Sequence, residues 1–145
     1  METTQATKEP VENRLRQAGL RATRPRVLVF DLLETQGGHR SVDEIVHLLQ
    51  ETGTRLPRMT VYNVVSDLLE CGLIMRADAG PGRALYEADK GWHHHFVCEE
   101  CKSIIDVPCV EAGKPCMDEG SRFGEVREAQ IIFRGVCNLC HARSQ

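Results

Sequence analysis

Two pairs of cysteines in this chain have the spacing of a metal knuckle. Cys98 and Cys101 enclose Glu-Glu, Cys137 and Cys140 enclose Asn-Leu, and residues 102–136 separate the pairs. A Cys-x-x-Cys turn brings two thiolates to one ion at about 2.3 Å, and two turns complete the tetrahedral sulfur site of structural zinc. The alternative is that each pair is a dithiol redox couple. Two matched knuckles in a chain with only 5% aromatic residues favour one zinc site that supports a sparse core.

The other three of the seven cysteines lack this spacing. Cys71 follows a predicted helix and is interpreted as a small core residue. Cys109 and Cys116 lie in a segment with two prolines and a glycine, as a redox pair that forms a disulfide or as simple loop thiols; the sequence leaves both open. An odd number of cysteines without an export signal argues against a disulfide scaffold.

A run of three histidines predicts a second metal site of different chemistry. In an extended segment side chains alternate, so His93 and His95 share one face while His94 points away. Imidazoles with carboxylates form the mixed nitrogen and oxygen shell of a transition metal, and we expect three further residues to complete it: His39, Glu87 and Asp106. The alternative is a solvated histidine tract. His47 and His141 are interpreted as bystanders.

A basic arm and a polar helix face predict contact with nucleic acid. The net charge of −3 and the pI near 6.1 do not suggest it, but residues 14–26 hold five arginines and no acid. Farther along, one face of a predicted helix carries groups that reach base edges or phosphates: Arg58, Thr60, Tyr62, Asn63 and Ser66. The alternative interpretation of the arm is a solvated helix face.

The elements that must position these groups are helices followed by a hairpin. Apolar residues repeat at helical spacing in four segments, bounded by Gly19, Gly37-Gly38, Gly53 and Gly72, and Ser41 with Glu44 forms a capping box. Residues 73–88 then read as a β-hairpin around Asp78–Gly82, so the first half predicts a winged helix-turn-helix. Short strands at 95–98, 103–107 and 129–136 follow.

Length and composition allow one ordinary domain or two small ones. The chain has 145 residues, of which 41% are hydrophobic and 27% charged, typical of a folded protein. We predict an α+β protein, with an N-terminal winged helix-turn-helix domain over 1–88 and a small C-terminal α/β domain with structural zinc over 89–145. No stretch reaches the roughly 20 apolar residues of a membrane helix and no secretory signal opens the chain, so we expect a cytoplasmic protein without a membrane partner.

Taken together, these motifs resemble the ferric uptake regulator superfamily of bacterial metal-dependent transcription factors, and within it the peroxide-sensing branch that is often linked to catalase genes. The resemblance spans about residues 15–140. It is carried by five motifs: Gly19-Leu-Arg-Ala-Thr-Arg-Pro-Arg26, His39-Arg-Ser-Val-Asp-Glu-Ile45, Thr60-Val-Tyr-Asn63, His93-His-His-Phe-Val-Cys-Glu-Glu-Cys101 leading to Ile104-Ile-Asp106, and Cys137-Asn-Leu-Cys140.

The resemblance implies a homodimeric repressor that binds a palindromic, A/T-rich operator in double-stranded DNA. It places structural Zn²⁺ on Cys98, Cys101, Cys137 and Cys140, and regulatory Fe²⁺ or Mn²⁺ on His39, Glu87, His93, His95 and Asp106. Tyr62 and Asn63 would read the major groove and Arg21 the minor groove, and the wider set of expected DNA contacts adds Arg26, Arg58 and Thr60. The C-terminal module would form the dimer.

Small differences within the superfamily favour a peroxide sensor. Asp106 stands where iron regulators usually have Glu, and Asn63 where many carry Arg, whereas Glu87 departs from the best-known peroxide sensor. In that branch peroxide reacts with the bound iron, and a histidine matching His39 or His93 is oxidised, so DNA is released. Ala129 replaces the histidine of a third metal site, which we therefore do not expect, and glycines and proline within 113–120 imply a short dimer helix.

Two other classes of function deserve comparison. The nearest is the same architecture as a repressor of uptake genes that responds to the level of iron, manganese or zinc without redox chemistry. The other is an enzyme, since histidine and carboxylate ligands also form non-haem iron oxygenase sites. The sequence offers no second acid and base pair that the ligands leave free, so we expect that the protein is not an enzyme.

Overall fold

A computed structural model describes residues 8–89, 91–109, 117–127 and 129–145, which form two compact units. The first unit runs to Arg76 and includes Ala84–Asp89. The second contains Ala77–Arg83 and the described residues from 91 onward. The predicted functional domains, residues 1–88 and 89–145, stay a prediction. No helix in the described ranges is long and apolar enough to cross a membrane.

The first unit begins with two helices whose ends lie close to the predicted glycine and capping residues. Helix α1 covers Val11–Gln17 and α2 covers Arg24–Gln36. Thr23 has the extended backbone of an N-cap, but its side chain makes no capping hydrogen bond, and Pro25 lies in the first turn of α2, where its missing N–H costs nothing. Helix α2 ends at Gly37, whose φ of +62° favours glycine.

Helix α3, Val42–Glu51, confirms the predicted capping box. The Ser41 hydroxyl accepts from the Glu44 N–H at 3.1 Å, and the Glu44 carboxylate accepts from the Ser41 N–H at 3.4 Å. Both donors are among those that a helix N-terminus leaves unsatisfied. The cap fixes where α3 begins, and therefore fixes the turn that carries His39.

Replacing Ser41 with alanine tests this cap. We expect the free energy of unfolding to fall by about 1 kcal/mol, because the Glu44 N–H loses its acceptor. Urea denaturation of the full chain measures it, with Ser66→Ala in the exposed interior of the next helix as the control, where alanine is the better helix former. Equal midpoints for the two variants would contradict the role given to the cap.

Helix α4, Arg58–Glu70, and most of the residues of a hairpin complete the first unit. The predicted stripe of α4 is buried, and its opposite face is exposed. Strands β1, Ile74–Asp78, and β2, Ala84–Ala88, form a two-stranded sheet. The core of this unit is one cluster, centred on its fully buried members Leu15, Val29, Phe30, Leu33, Ile45, Val61 and Leu68. Helices that pack on one another beside a hairpin are the predicted winged helix.

The second unit contains a three-stranded sheet of order β4-β3-β5. Strand β3 covers His93–Cys98, β4 covers Ile104–Pro108 and β5 covers Ile132–Gly135. Strand β3 pairs antiparallel with β4 and parallel with β5. The sequence predicted a longer last strand over 129–136. The observed strand is shorter at both ends, because its ladder with β3 runs only from the pair of His95 and Ile132 to the pair of Cys98 and Gly135.

Two short helices accompany this sheet. Helix α5 spans the five residues Met117–Ser121, and α6 spans Asn138–Arg143. Helix α6 was not predicted, because its six residues are too few to show a helical stripe. Its buried residue is Cys140, so this helix packs through a knuckle thiol. The chain is therefore an α+β protein, as predicted.

Candidate metal centres and nucleic-acid face

The four knuckle cysteines come from the ends of two paired strands. Cys98 closes β3, and a tight turn to Ser103, in which Lys102 has a φ of +62°, brings Cys101 back toward it. The Cys98 N–H donates to the Ser103 carbonyl at 3.0 Å. On the other side, Cys137 follows β5 as the N-cap of α6 and Cys140 lies in the first turn of that helix. The parallel pairing of β3 with β5 therefore positions both knuckles at the same end of the sheet.

The four sulfur atoms converge on one point. All lie within 4.8 Å of one another, and the Cys101 and Cys137 sulfurs are 3.9 Å apart. A tetrahedron of Zn–S bonds of about 2.3 Å separates its sulfurs by about 3.8 Å. Cys98, Cys137 and Cys140 are buried and Cys101 is exposed. This geometry fits one closed zinc site and disfavours two separate dithiol couples.

Local hydrogen bonds favour the thiolate form of two of these cysteines. The Cys137 N–H donates to the Cys98 sulfur at 3.3 Å, and with further backbone donors it lowers the pKa of Cys98 to about 6. The Ser103 hydroxyl, followed by its N–H, lowers the pKa of Cys101. These donors therefore favour the thiolate form of Cys98, which is the form that binds zinc.

The fourth thiol behaves in the opposite way. The neighbouring Cys137 sulfur and burial raise the pKa of Cys140 to about 12, because a further negative charge at this point is unfavourable without a cation. A bound cation would therefore displace the Cys140 proton and offset the negative charge of the neighbouring thiolates.

The first unit contributes a buried histidine and carboxylate. His39 lies in the turn before α3, where Arg40 makes an isolated antiparallel bridge to Tyr86 of β2 with backbone hydrogen bonds of 2.9 and 2.8 Å. This bridge places His39 beside Glu87, the next residue of β2, and their Nε2 and Oε2 atoms are 3.0 Å apart. The Glu87 side chain is fully buried and that of His39 is 5% exposed.

The second unit brings together two imidazoles and a carboxylate. His93 and His95 share a face of β3, and Asp106 of β4 is the register partner of His95. The Asp106 Oδ1 atom lies 3.4 Å from His93 Nε2 and 3.6 Å from His95 Nε2. The predicted alternation is confirmed, since His94 instead makes edge contacts with the rings of Trp92 and Phe133.

The tautomer of His93 suits a metal ligand. Its Nδ1 atom lies 2.8 Å from the Gly91 carbonyl oxygen, which only accepts, so Nδ1 carries a proton. In a neutral imidazole the Nε2 lone pair then points toward the Asp106 carboxylate. Two electron-rich atoms facing each other are the donor set that a divalent cation favours, and a carbonyl on the other ring nitrogen is the usual support of a histidine ligand.

The expected nucleic-acid contacts line the exposed face of α4 and the start of α2. Tyr62 is 51% exposed and Asn63 is exposed beside it. A groove of about 400 Å³ between the two helices is lined by Arg21, Thr23, Pro25, Arg26, Thr60, Asn63, Val64 and Asp67. Arg58 pairs with Asp43 at 2.6 Å, with both side chains mostly exposed.

The groove contains an acid that the sequence analysis did not single out. Asp67 forms an ion pair with Arg26 at 3.0 Å. Its position four residues after Asn63 puts it on the same helix face, and that spacing is the signal that would have revealed it. An acid on this surface would oppose the approach of phosphates.

The other predicted residues have less to do with these sites. Cys71 is half-buried rather than buried, because it caps α4, where the last turn opens to solvent; its thiol donates to the Leu68 carbonyl at 3.4 Å. Cys109 is half-buried, and Cys116 lies outside the described residues, so their pairing stays a prediction. His47 pairs with Glu51 on the surface, and His141 is exposed.

Comparison with known proteins gives consistent matches. The model of the ferric uptake regulator family matches residues 17–115. The ferric uptake regulation protein of Neisseria meningitidis serogroup B is 33% identical, over 90% of this chain and 93% of that protein. The transcriptional regulator FurA of Mycobacterium tuberculosis is 34% identical, over 87% and 86%. A structure of the ferric uptake regulator from Pseudomonas aeruginosa with manganese has 28% identity and a TM-score of 0.67, over 88% and 98%.

Proposed function

We propose that this chain, which belongs to the ferric uptake regulator family, is a DNA-binding repressor that senses hydrogen peroxide through a bound iron ion. Membership makes it a metal-responsive transcriptional regulator, and the family consists of regulators rather than enzymes. What the proposal adds is the signal, the ligands and the residues that read DNA.

One regulatory ion would take its ligands from both units. We assign to it His39 and Glu87 of the first unit and His93, His95 and Asp106 of the second, with Fe²⁺ or Mn²⁺ as the ion that nitrogen and oxygen donors accept. Two sets of contacts support this assignment. The nitrogen and oxygen atoms of His39 and Glu87 lie close together in the first unit, and those of His93, His95 and Asp106 lie close together in the second. An ion held by both units would restrict their relative motion and thereby favour one DNA-binding geometry.

The DNA-reading surface would be the exposed face of α4 with the arm before α2. We assign major-groove contacts to Tyr62 and Asn63, supporting contacts to Arg58 and Thr60, and a minor-groove contact to Arg21. Regulators of this family bind DNA as homodimers, so two copies of this surface would meet a palindromic, A/T-rich operator. Arg26 lines the protein groove between α2 and α4, together with Arg21, Thr60 and Asn63.

The observation that carries peroxide sensing is the short carboxylate of Asp106 beside two imidazoles. Asp106 would hold the ion with a shorter side chain than that of glutamate, which favours a more open shell. Iron, when bound, would supply the redox chemistry that cleaves the O–O bond. One peroxide oxygen would be added to the ring of His39 or His93 and the other would leave as water. An oxidised imidazole is a poor ligand, so the repressor would lose the ion and release its operators at catalase-type genes.

The second candidate is a repressor of uptake genes that responds to metal level alone. Glu87 favours it, because the best-known peroxide sensor has aspartate at that position, and the relative from Neisseria meningitidis is a ferric uptake regulation protein. In that case the ligands would bind and release the ion reversibly, without oxidation of any histidine.

Peroxide treatment of two metal forms separates the candidates. We expect the iron-loaded protein to lose at least tenfold in affinity for a duplex selected from a random pool, after exposure to peroxide at micromolar concentration. The manganese-loaded protein should keep its affinity, because manganese does not drive the same oxidation. Mass spectrometry should find one added oxygen on the peptide that bears His39 or His93.

Asp106→Glu serves as the matched variant, since it keeps the charge and lengthens the side chain. It should bind DNA when metal-loaded and respond less to peroxide. Equal loss of affinity in both proteins would refute the argument from the carboxylate. Unchanged affinity of the iron-loaded wild-type protein after peroxide would establish the regulator of metal level instead.

A further inference from the structure

Arg26 connects the arm before α2 to helix α4. Its Nη1 atom donates to the Arg21 carbonyl at 3.0 Å, and its Nη2 atom donates to the Asp67 carboxylate at 3.0 Å. The same Arg21 carbonyl also accepts from the Thr23 N–H at 2.9 Å. The guanidinium group therefore links the arm to α4 across the groove.

We propose that Asp67 is a positioning residue for DNA recognition, which acts through Arg26 to hold the backbone of Arg21 in register with Asn63. The proposal rests on the proposed function, because it assumes that Arg21 and Asn63 contact DNA. Asp67 itself need not touch the duplex. Arg26 then serves as a brace, since each of its terminal nitrogens donates to a group within the protein.

The charge of Asp67 makes this assignment informative. A carboxylate on a surface that meets phosphates opposes binding, because it adds a negative charge beside the polyanion. If Asp67 had no role in positioning, removing its charge should strengthen DNA binding. If it positions the arm, removal should weaken specific binding, because the two segments lose their fixed geometry. The two views thus predict opposite signs.

Burial favours the positioning role for this pair. The side chains of Arg26 and Asp67 are 21% and 39% exposed, so water screens their attraction less than it does at an open surface. The guanidinium group is also held by a backbone carbonyl, which fixes its orientation.

The pair formed by Arg58 and Asp43 provides a matched contrast on the same unit. It also joins an arginine of the expected DNA face to an aspartate, but its side chains are 65% and 73% exposed and the contact runs through the single Nε atom. No backbone carbonyl appears among its described hydrogen bonds. Removing the charge of Asp43 should therefore act through charge alone.

The experiment compares Asp67→Asn with Asp43→Asn in the manganese-loaded full chain. The probes are a duplex selected by the wild-type protein from a random pool and a scrambled duplex of the same length and composition. For Asp67→Asn we expect about a tenfold loss of affinity for the selected duplex, with affinity for the scrambled duplex unchanged or higher. Asp43→Asn should bind both duplexes as well as or better than the wild type. A merely structural defect would lower both affinities together.

Two further variants test the path through Arg26. Asp67→Glu keeps the carboxylate and should bind the selected duplex within about threefold of the wild type. In an Arg26→Ala background, Asp67→Asn should cause no additional loss, because the brace is already absent. Additive losses, or an Asp67→Asn protein that binds the selected duplex as well as the wild type, would overturn the proposal.

Failure of the inference is distinguishable from failure of the proposed function. A metal-loaded wild-type protein that enriches no duplex from the pool overturns both. A wild-type protein that discriminates between the two duplexes, together with an Asp67→Asn protein that does so equally, overturns only the positioning role of Asp67.

Discussion

Replacing Cys140 with serine is expected to unfold the second unit. Binding of structural zinc contributes about 10–16 kcal/mol in small cysteine-rich folds, which equals or exceeds the whole stability of a typical domain. The hydroxyl of serine is a poor zinc ligand, so the variant loses the closed tetrahedral shell. Around the knuckles the buried cluster consists of the thiols Cys98, Cys137 and Cys140 with Phe96 packed against them, so the side-chain packing that supports the pairing of β5 with β3 depends on the thiols.

Cys71→Ser is the matched control for this substitution. Cys71 is also incompletely exposed, but it lies outside the sulfur cluster, and a hydroxyl replaces its hydrogen bond to the Leu68 carbonyl. We expect Cys71→Ser to retain one zinc per chain and Cys140→Ser to retain almost none. Hydrogen exchange should show loss of protection in β3, β5 and α6 and retained protection in α2 to α4. A Cys140→Ser protein with full zinc content and unchanged exchange would contradict the structural role of the cluster.

The two clusters differ in a way that suits different tasks. Four thiolates would form a soft, closed shell around an ion, and three of these cysteines are buried, so the shell would leave no open position. The nitrogen and oxygen donors of the other set would suit Fe²⁺ or Mn²⁺. Asp106 is 37% exposed, so a small reactant could approach this side from solvent. The proposed structural and regulatory sites would thus differ in their ligand chemistry.

The charge distribution explains how an acidic chain can meet DNA. The net charge of −3 reflects acids spread over the molecule, whereas the expected reading face concentrates arginines. Two acids near that face form ion pairs within the protein: Asp43 pairs with Arg58, and Asp67 pairs with Arg26. Local pairing therefore determines the field that a phosphate would meet more than the total charge does.

Much of the first unit could be predicted from sequence because its signals are local. The capping box at Ser41 and the glycines after α2, α3 and α4 act within a few residues, and their positions match the observed helix ends. The brace between Arg26 and Asp67 could not be predicted in this way. It joins residues 41 positions apart, so it depends on how α2 packs against α4.

In the second unit the chemistry was easier to predict than the architecture. The spacing of the cysteines indicated four ligands for one ion, and alternation along an extended strand separated His94 from its neighbours. The parallel pairing of β3 with β5 and the helix α6 were not visible, because neither has a periodic pattern long enough to detect. Residues 110–116, with the second cysteine of the predicted redox pair, lie outside the described residues.

Replacing Glu87 with glutamine is expected to abolish metal-dependent DNA binding at micromolar manganese. Loss of a supporting residue around a metal site typically costs 10–100-fold in affinity, and loss of a direct anionic ligand should reach at least the upper end of that range. Glutamine keeps the size of the side chain and its contact with His39, and it removes a charge that is costly to bury. The metal-free variant should therefore melt no lower than the metal-free wild type, while its metal affinity falls about a hundredfold.

Glu51→Gln makes the same chemical change in a pair that is not part of the cluster. Glu51 lies 3.4 Å from His47 on the surface of α3, where both side chains are well exposed, so this variant should bind metal as the wild type does. Trp92 is the one tryptophan of the chain and lies next to His93, with its ring 5.2 Å from that of His94, so its fluorescence should report manganese titrations directly. Equal titration curves for Glu87→Gln and Glu51→Gln would exclude Glu87 as a ligand. A hundredfold shift for Glu87→Gln alone, with unchanged zinc content, would show that a buried carboxylate of the DNA-binding unit controls the regulatory ion.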